Sequence, residues 1–499
     1  MKPNAKRYDV FLIYPCNHPR WPLLPNSVLA LMNPLIKSGL SPKVVDTAVE
    51  DYRAFDYRNA VCVGISALTD QSILKGIEVA TYLRTRYPQV PIVWGGHHPT
   101  VTPEQTIQSP AVDIVCRNEG EVTFPELVRR LAARQCLDEV LGITWKDDHG
   151  RAIHNPDQKW VEMDSIDLYP YDSLDLEKYP IIHERFSYQS SRGCPCRCRF
   201  CSFDVLKRWR PKSPQKMVDE LQWITDTFHP HDIEMADDNF FVNRKRVEKF
   251  CEMVIAKGLS LRWSANCRFD YFSDYNDDFI KLLKESGCYV LCFGGESGSD
   301  RVLNYLDKKL GRDQILESVR KGEKHHLKFQ VSFMCGFPGE TREDIFATLS
   351  LMDQIRRISP ALEINGFFTY TPYPGSDLFE EVQGLGFSPP RSLEEWGRFN
   401  PNLEHSTRTT PWVSKSDRQV LETIGAMVRF EFLMKKYREM SIFQKKAWFF
   451  NSSFVVKLFD LLSLPFNVSY WIRWKKKWFR CAWEWEGWTF LKDRFLGRV

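Results

Sequence analysis

Two blocks of alternating apolar strands and helices occupy most of this 499-residue chain, and this alternation restricts its fold more than any other feature. The first block holds five short apolar strands with helices between them, at residues 10–13, 43–46, 61–65, 91–94 and 113–116. Repeated strand–helix units predict a doubly wound parallel sheet of the Rossmann or flavodoxin type, with ligands bound at the carboxyl ends of the strands.

The second block predicts a different closure of the same α/β units. Its six apolar strands fall near Ser187–Ser190, Asp232–Met235, Ser260–Ala265, Tyr289–Phe293, Phe329–Met334 and Ile364–Tyr370. Six parallel units indicate a partial (βα)6 TIM-type barrel with its chemistry at the carboxyl ends of the strands. We therefore expect a sheet domain at 1–140, a connector hairpin and linker at 141–185, a barrel at 186–405 and a helical C-terminal region at 406–499.

A cysteine motif stands directly after the first strand of the second block. Cys194, Cys198 and Cys201 are separated by three and then two residues. Three thiolates on one tight loop can hold three irons of a [4Fe–4S] cluster and leave the fourth iron open for chemistry. The alternative is a structural zinc site that uses Cys196 as well, but four sulfurs within eight residues cannot easily surround one ion tetrahedrally. We expect Cys196 to be a bystander.

The cysteine spacing, with Phe200 before the last cysteine, resembles the radical S-adenosylmethionine superfamily. The resemblance implies that the open iron binds S-adenosylmethionine and that the cluster cleaves it to a 5′-deoxyadenosyl radical. It also implies cofactor contacts after the later strands, at Asp237, Arg268, Glu296, Ser297 and Gly336. Asp237 would meet the ammonium group and Arg268 the carboxylate or ribose. Glu296 and Ser297 would bind ribose hydroxyls, and Gly336 would approach the adenine. Alone, such a motif at a strand end is a turn or a helix cap more often than a ligand.

The strand-end loops of the first block are rich in Gly, Ser and Thr, which let a polar ligand approach the backbone closely. Gly64-Ile65-Ser66, Gly95 to Thr100 and Glu119-Gly120-Glu121 resemble the cobalamin-binding domain that precedes many radical S-adenosylmethionine enzymes. The resemblance implies cobalamin contacts at Ser66, Gly95, Gly96, Thr100 and Glu119. His18 lacks the neighbouring Asp that orients a cobalt-ligating imidazole in many such domains, so we expect a plain loop histidine. An ordinary flavodoxin-like domain is the alternative.

The C-terminal tail is basic and rich in tryptophan. Residues 441–499 contain eleven Lys or Arg, four Asp or Glu and seven Trp. This composition is typical of a helix in an anionic membrane interface, and a helical cap packed on the barrel is the alternative. We expect no membrane span, because no run of eighteen apolar residues occurs. Nucleic-acid binding is not expected, since no recognised fold accompanies the charge.

These features together predict a cytoplasmic enzyme, because fourteen cysteines without a secretory leader indicate a reducing compartment. The reaction implied by the resemblance is C-methylation of an unactivated carbon in a small-molecule substrate (a lipid, a tetrapyrrole or a secondary metabolite). An electron donor such as flavodoxin or ferredoxin would reduce the cluster. A cyclase or rearrangement enzyme of the same architecture, as in anaerobic magnesium-protoporphyrin ester cyclase, is the nearest alternative. A methylthiotransferase or a non-catalytic corrinoid or iron–sulfur protein fits the motifs less well.

Overall fold

The computed structural model of the chain describes residues 7–16, 22–147, 149–202, 208–399, 409–439 and 468–479. Strands and helices alternate at the start of the chain: β1 (Val10–Tyr14), α1 (Asn26–Lys37), β2 (Pro42–Asp46), β3 (Cys62–Ser66), α2 (Ser72–Arg86), β4 (Ile92–Gly95), α3 (His97–Val101), α4 (Pro103–Gln108), β5 (Ile114–Cys116) and α5 (Gly120–Ala132). A hairpin of β6 (Ile143–Lys146) and β7 (Ala152–His154) follows.

The first sheet has the strand order β2-β1-β3-β4-β5-β6-β7. Its first five strands are parallel, whereas the hairpin strands β6 and β7 add to the edge of β5 in the antiparallel sense. The inner strands are apolar on both sides because helices cover both faces, as expected for parallel sheets. The predicted doubly wound sheet is confirmed, and the hairpin that the sequence assigned to a connector extends it.

The second half of the chain holds the remaining strand–helix units. They are α6 (Ile181–Glu184), β8 (Arg185–Tyr188), β9 (Ser191–Arg192), β10 (Arg210–Pro211), α7 (Pro214–Phe228), β11 (Asp232–Met235), α8 (Arg244–Ala256), β12 (Trp263–Cys267), α9 (Phe269–Ser273), α10 (Asp277–Glu285), β13 (Cys288–Glu296), α11 (Asp300–Tyr305), α12 (Arg312–Lys324), β14 (Lys328–Cys335), α13 (Arg342–Ile358), β15 (Glu363–Thr369) and α14 (Asp377–Gln383). Four 3-10 turns, at Tyr52–Ala54, Met163–Ser165, Tyr171–Ser173 and Leu176–Lys178, lie in the connections.

Six of these strands form a parallel sheet in the order β15-β14-β13-β12-β11-β8. This order follows the chain, as required for an open barrel built from successive βα units. The two short strands β9 and β10 pair separately as an antiparallel ribbon that places Arg192 opposite Arg210. The partial barrel is therefore confirmed, and the cysteine loop lies between the two strands of the ribbon.

The segment after the barrel returns to the first domain before it reaches the barrel edge. In α15 (Leu393–Arg398), the Trp396 indole donates a 2.6 Å hydrogen bond to the Gln105 side chain of α4. The long helix α16 (Lys415–Glu439) then packs along β15. A helix over residues 468–475 contacts α13, where the Trp474 indole donates to Asp353 at 2.7 Å.

The remainder of the tail that the sequence singled out, residues 440–467 and 480–499, lies outside the described residues. Among the residues that are described, no helix is both long enough and apolar enough to span a membrane.

Candidate active site

The cysteine loop begins where β8 and β9 end, at the carboxyl edge of the barrel. Gly193 has a φ of 80°, a left-handed conformation that favours glycine, and it turns the chain into the loop. Cys194, Cys198 and Cys201 are half-buried, and the Cys201 amide closes a turn by donating to the Cys198 carbonyl at 3.0 Å. The three predicted ligands thus share one short loop at the edge where barrel chemistry takes place.

Two donors from neighbouring strands approach these thiols. Arg268, after β12, donates from Nη1 to Cys198 Sγ at 3.3 Å. Asn239, after β11, lies 3.9 Å from Cys194 Sγ through Nδ2, and its buried Oδ1 has no partner. Cys196 contacts the Cys194 side chain, and its own Sγ lies 3.6 Å from the hydroxyl of Tyr271. Donors beside the thiols suit an iron–sulfur cluster, whose sulfurs accept hydrogen bonds.

A single metal ion fits this loop less well than a cluster. Among the described residues, no three His, Cys, Asp or Glu side chains come close enough to hold one ion. A zinc ion would need its sulfurs about 2.3 Å from one point. A cluster needs only one thiolate at each of three irons, so it does not require three sulfurs around one point.

Asp237 lies at the predicted place but has other partners than the sequence suggested. Its buried carboxylate accepts hydrogen bonds from the amides and hydroxyls of both Ser190 and Ser191, at 2.6 to 3.0 Å. Arg246 braces the same turn by donating to the Ser190 carbonyl at 2.9 Å. Because four donors already use both of its oxygens, Asp237 fixes the start of the cysteine loop.

The neighbouring Asp238 is the carboxylate that faces open space. It lines the cavity described below and is exposed to it. Desolvation by the cavity walls and the nearby charge of Asp237 raise the pKa of Asp238, and the Gly193 amide opposes that rise by donating to it. The sequence predicted the ligand contact at Asp237, because two adjacent carboxylates cannot be told apart without the strand's pleat.

Glu296 and Arg268 meet through a lysine that sequence reasoning missed. Lys308 donates to Glu296 Oε1 at 2.7 Å, and both side chains are less than a tenth exposed. Arg268 holds Asp270 at 2.9 Å and also donates to the Lys308 backbone carbonyl. Lys308 lies in a charged turn after α11, not at a strand end, so its sequence offered no signal.

Ser297 and Gly336 lie at the ends of β13 and β14. Ser297 is fully buried, and its hydroxyl contacts the Thr348 hydroxyl at 3.2 Å. Gly336 has a φ of 78°, and its carbonyl accepts from the Trp412 indole at 2.9 Å. Its amide donates to Glu340 at 2.5 Å, and burial raises the pKa of Glu340 to about 8.

A cavity of about 390 Å³ opens between the strand ends of the first sheet and those of the barrel. Its deep wall, against the first sheet, is lined by four buried apolar side chains: Leu12, Val93, Cys116 and Phe124. All five residues predicted to contact cobalamin line it, namely Ser66, Gly95, Gly96, Thr100 and Glu119. The barrel contributes Gln189, Arg192, Gly193, Ala236 and Asp238. Gly193, which precedes the first of the three predicted ligand cysteines, thus shares a cavity with the edge of the first sheet.

The first-sheet side of this cavity is built from small residues in fixed positions. Gly96 has φ 95° and ψ −170°, a region open essentially to glycine alone. A Cβ at Gly96 would lie 2.7 Å from the Ala67 carbonyl oxygen. Thr100 accepts from the Asn118 amide at 2.9 Å and donates to the Gly96 carbonyl at 2.8 Å. A bare backbone edge with hydroxyls at its mouth suits the close approach of a large ring such as a corrin.

Glu119 and His18 differ from the other residues considered for cobalamin binding. Glu119 lines the cavity, but its carboxylate is paired with Arg192 and Arg210 of the barrel. His18 lies outside the described residues, so its predicted lack of a role stays a prediction.

Comparisons with known proteins agree with both halves of this site. The profile of the "B12 binding domain" matches residues 39–128, and that of the "Radical SAM superfamily" matches residues 188–352. An uncharacterized methyltransferase of Pyrococcus horikoshii, PH0819, is 32% identical over 398 residues, covering 78% of this chain and 84% of that protein.

Two further proteins extend the comparison. The anaerobic magnesium-protoporphyrin IX monomethyl ester cyclase of Rubrivivax gelatinosus is 27% identical over 64% of this chain and 58% of its own length. The solved structure of OxsB, a cobalamin-dependent S-adenosylmethionine radical enzyme with aqua-cobalamin and S-adenosylmethionine bound, has the same fold. Its TM-score is 0.68 at 19% identity, covering 97% of this chain and 78% of that one. The chain belongs to the cobalamin-dependent radical S-adenosylmethionine enzymes, whose cofactors are a [4Fe–4S] cluster, S-adenosylmethionine and cobalamin.

Proposed function

We propose that this enzyme transfers a methyl group to an unactivated carbon of a small-molecule substrate. The observation that carries the proposal is the single cavity of about 390 Å³, lined both by Gly193 beside the cysteines and by the Gly95-Gly96 edge. When bound, the cluster supplies the electron that cleaves S-adenosylmethionine to a radical, and cobalamin carries the methyl group. An unactivated carbon has no lone pair to attack a methyl cation, so both devices are needed in one place.

On the barrel side, we propose that Cys194, Cys198 and Cys201 hold the cluster and that Cys196 does not. Arg268 supports Cys198 and presents its charge to the carboxylate of S-adenosylmethionine. We assign the ammonium contact to Asp238 instead of Asp237, because Asp237 is saturated by Ser190 and Ser191.

Ribose and adenine are assigned to the later strand ends. Glu296 is held in place by Lys308 and can accept from ribose hydroxyls, while Ser297 supports the same turn. Gly336 has no side chain to obstruct a flat base lying on its segment, and Trp412 and Glu340 fix its backbone. These contacts hold the cofactor still, and a misplacement of about 1 Å at a reacting carbon can cost roughly a hundredfold in rate.

On the sheet side, we propose that Gly95 and Gly96 lie against the corrin, and that Ser66 and Thr100 offer it hydroxyls. Ser66 already contacts the Ser27 hydroxyl at 3.0 Å, so the two form a small polar pair at the mouth of the cavity. Glu119 is already paired with Arg192 and Arg210, so its carboxylate is not available to cobalamin alone.

The experiment that tests the reaction uses extract from a strain that lacks this protein. Purified holoenzyme, reduced with flavodoxin or ferredoxin as the proposed electron donor, is incubated with that extract and S-adenosylmethionine deuterated in its methyl group. Mass spectrometry should find a product that keeps the label on carbon and matches a metabolite of the parent strain. Cyclisation is the second candidate, favoured by the likeness to the Rubrivivax cyclase. It predicts a product with a new ring or oxygen and no labelled methyl.

We propose further that the helix over residues 468–475 touches a membrane that holds a lipid substrate. One face of this helix is anchored to α13 through Trp474 and Asp353. Trp471, beside Lys475, is 62% exposed, and Trp478, which follows the helix beside Arg473, is 52% exposed. Exposed tryptophans next to basic residues suit an anionic interface. Trp471→Ser with Trp478→Ser should abolish sedimentation with anionic vesicles and leave Trp474 packed. Equal sedimentation of the variant would contradict the proposal.

A further inference from the structure

We infer that Arg192 is a positioning residue that locks the cysteine loop onto the cobalamin edge of the first domain and so sets the distance between the two cofactors. The inference rests on the proposed function, because it assigns a spacing role to the wall between the two halves of that site.

Arg192 joins two domains through almost every hydrogen that its guanidinium offers. Nη1 donates to Glu119 at 3.0 Å and Nη2 to Glu121 at 2.7 Å. Nη2 also reaches the Tyr169 hydroxyl at 3.2 Å, and Nε donates to Gln189 at 2.9 Å. The planar fork of arginine suits this two-carboxylate arrangement, whereas a lysine offers a single ammonium.

A second arginine completes the group from the other strand of the ribbon. Arg210 lies opposite Arg192 in the β9–β10 pair. It holds both oxygens of Glu119, at 2.6 and 2.8 Å, and is 3% exposed. Two arginines thus face the two glutamates that flank Gly120, and the buried group is balanced in charge. Charge-assisted bonds of this kind are the shorter and stronger class of hydrogen bond.

The place of this group in the fold suggests its purpose. Arg192 lies two residues before Cys194, while Glu119 and Glu121 begin α5 at the edge of the first sheet. Arg192, Glu119, Gly120 and Glu121 all line the cavity. Any movement of the cysteine loop relative to that edge must therefore break or stretch these bonds.

Stability alone is a weak explanation for the group. Replacing a buried ion pair by apolar residues is often neutral or stabilising, because burial of charge is costly. Apolar contacts could hold the same two surfaces together, but they do not fix direction as a forked arginine between two carboxylates does. What the ion pairs add is a defined register between loop and sheet.

The test measures the distance between the cofactors directly. Holoenzyme with cobalt as cob(II)alamin and with a one-electron-reduced cluster holds two paramagnets, and pulsed electron paramagnetic resonance reads their dipolar coupling. The wild-type protein should give one narrow distance. Arg192→Met, Arg192→Lys and Glu121→Gln should each broaden or lengthen that distribution at unchanged iron and cobalamin content. In the same variants, 5′-deoxyadenosine released without substrate should rise severalfold.

A matched control separates register from stability. Lys328 and Glu363 form another ion pair at 2.6 Å, in which Glu363 is fully buried and Lys328 is partly exposed, at the amino ends of β14 and β15, remote from the cysteine loop. Lys328→Met should cost thermal stability and leave the distance unchanged. An unaltered distribution in Glu121→Gln and Arg192→Lys would overturn the inference, even if Arg192→Met does not fold. A wild-type protein that binds no cobalamin or no cluster would instead overturn the proposed function.

Discussion

The strand ends of the first sheet and those of the barrel face one cavity, but they are prepared for their ligands in opposite ways. The sheet edge presents bare backbone and hydroxyls, as at Gly96 and Thr100. The barrel edge presents charges, and most are already paired within the protein: Glu296 with Lys308, and Arg268 with Asp270. We therefore expect the sheet edge to select its cofactor by shape. We expect the barrel edge to select its cofactor by charges that are already held in place.

The barrel should lose its iron–sulfur cluster completely when its cysteines are changed. Cys194→Ala, Cys198→Ala and Cys201→Ala should each abolish the iron and visible absorbance of an anaerobically reconstituted cluster, because we propose that each thiolate holds one iron. Cobalamin binding should persist, since its proposed contacts lie on the other edge. Cys196→Ala is the control and should keep both cofactors; an equal loss of iron there would show that the ligand set is wrong.

A side chain added at the sheet edge should weaken cobalamin binding by steric overlap and leave the cluster intact. Gly96→Ala would put a Cβ 2.7 Å from the Ala67 carbonyl, at a backbone conformation that costs a residue with a side chain about 1–3 kcal/mol. Cobalamin affinity should fall about tenfold or more, as measured by equilibrium binding, with iron content unchanged. Gly39→Ala is matched in positive φ, at 79°, but has open space around it. If Gly39→Ala lowered cobalamin affinity equally, general strain would explain the loss.

Removing one partner of a charge pair should affect the barrel more than the sheet. Lys308→Met leaves the Glu296 carboxylate buried without its partner, a change that typically costs about 3–5 kcal/mol. We expect weaker binding of S-adenosylmethionine and a lower unfolding temperature, while cobalamin affinity stays unchanged. A cobalamin affinity that falls in parallel would mean that the two edges are not independent.

The smallest effect should come from Glu340, whose pKa burial raises to about 8. Because this folded-state pKa lies above the ordinary value, the native protein holds a proton that the unfolded chain has released between about pH 5 and 8. Its contribution is therefore full at low pH and is lost as pH rises toward 8. Glu340→Gln should flatten the fall of unfolding temperature across this window. An identical pH profile in both proteins would contradict the assignment.

The elements with strong local signals could be predicted from the sequence. The helices Arg244–Ala256 and Asp277–Glu285 have such signals, because Asn243 and Asn276 cap them by accepting from amides three residues on. The repeating βα units likewise predicted both sheets. Chain order and hydrophobic period carry this information, and neither depends on distant contacts.

The sequence predicted where the site residues lie in the fold but not which side chains they contact. The sequence pointed to Asp237, yet Ser190 and Ser191 occupy that carboxylate, and only the folded chain brings them together. Lys308 and Arg192 are equally dependent on tertiary contact. The return of α15 to the first domain through Trp396 had no local signal at all.

The most direct test of the whole account is to count coproducts on the substrate found in the extract experiment. Each methylated product should appear with one S-adenosylhomocysteine and one 5′-deoxyadenosine, because one S-adenosylmethionine supplies the methyl group and another supplies the radical. Cobalamin-free enzyme should form 5′-deoxyadenosine without product. Full methylation without cobalamin, or product formed without 5′-deoxyadenosine, would contradict the claim that one cavity joins the two chemistries.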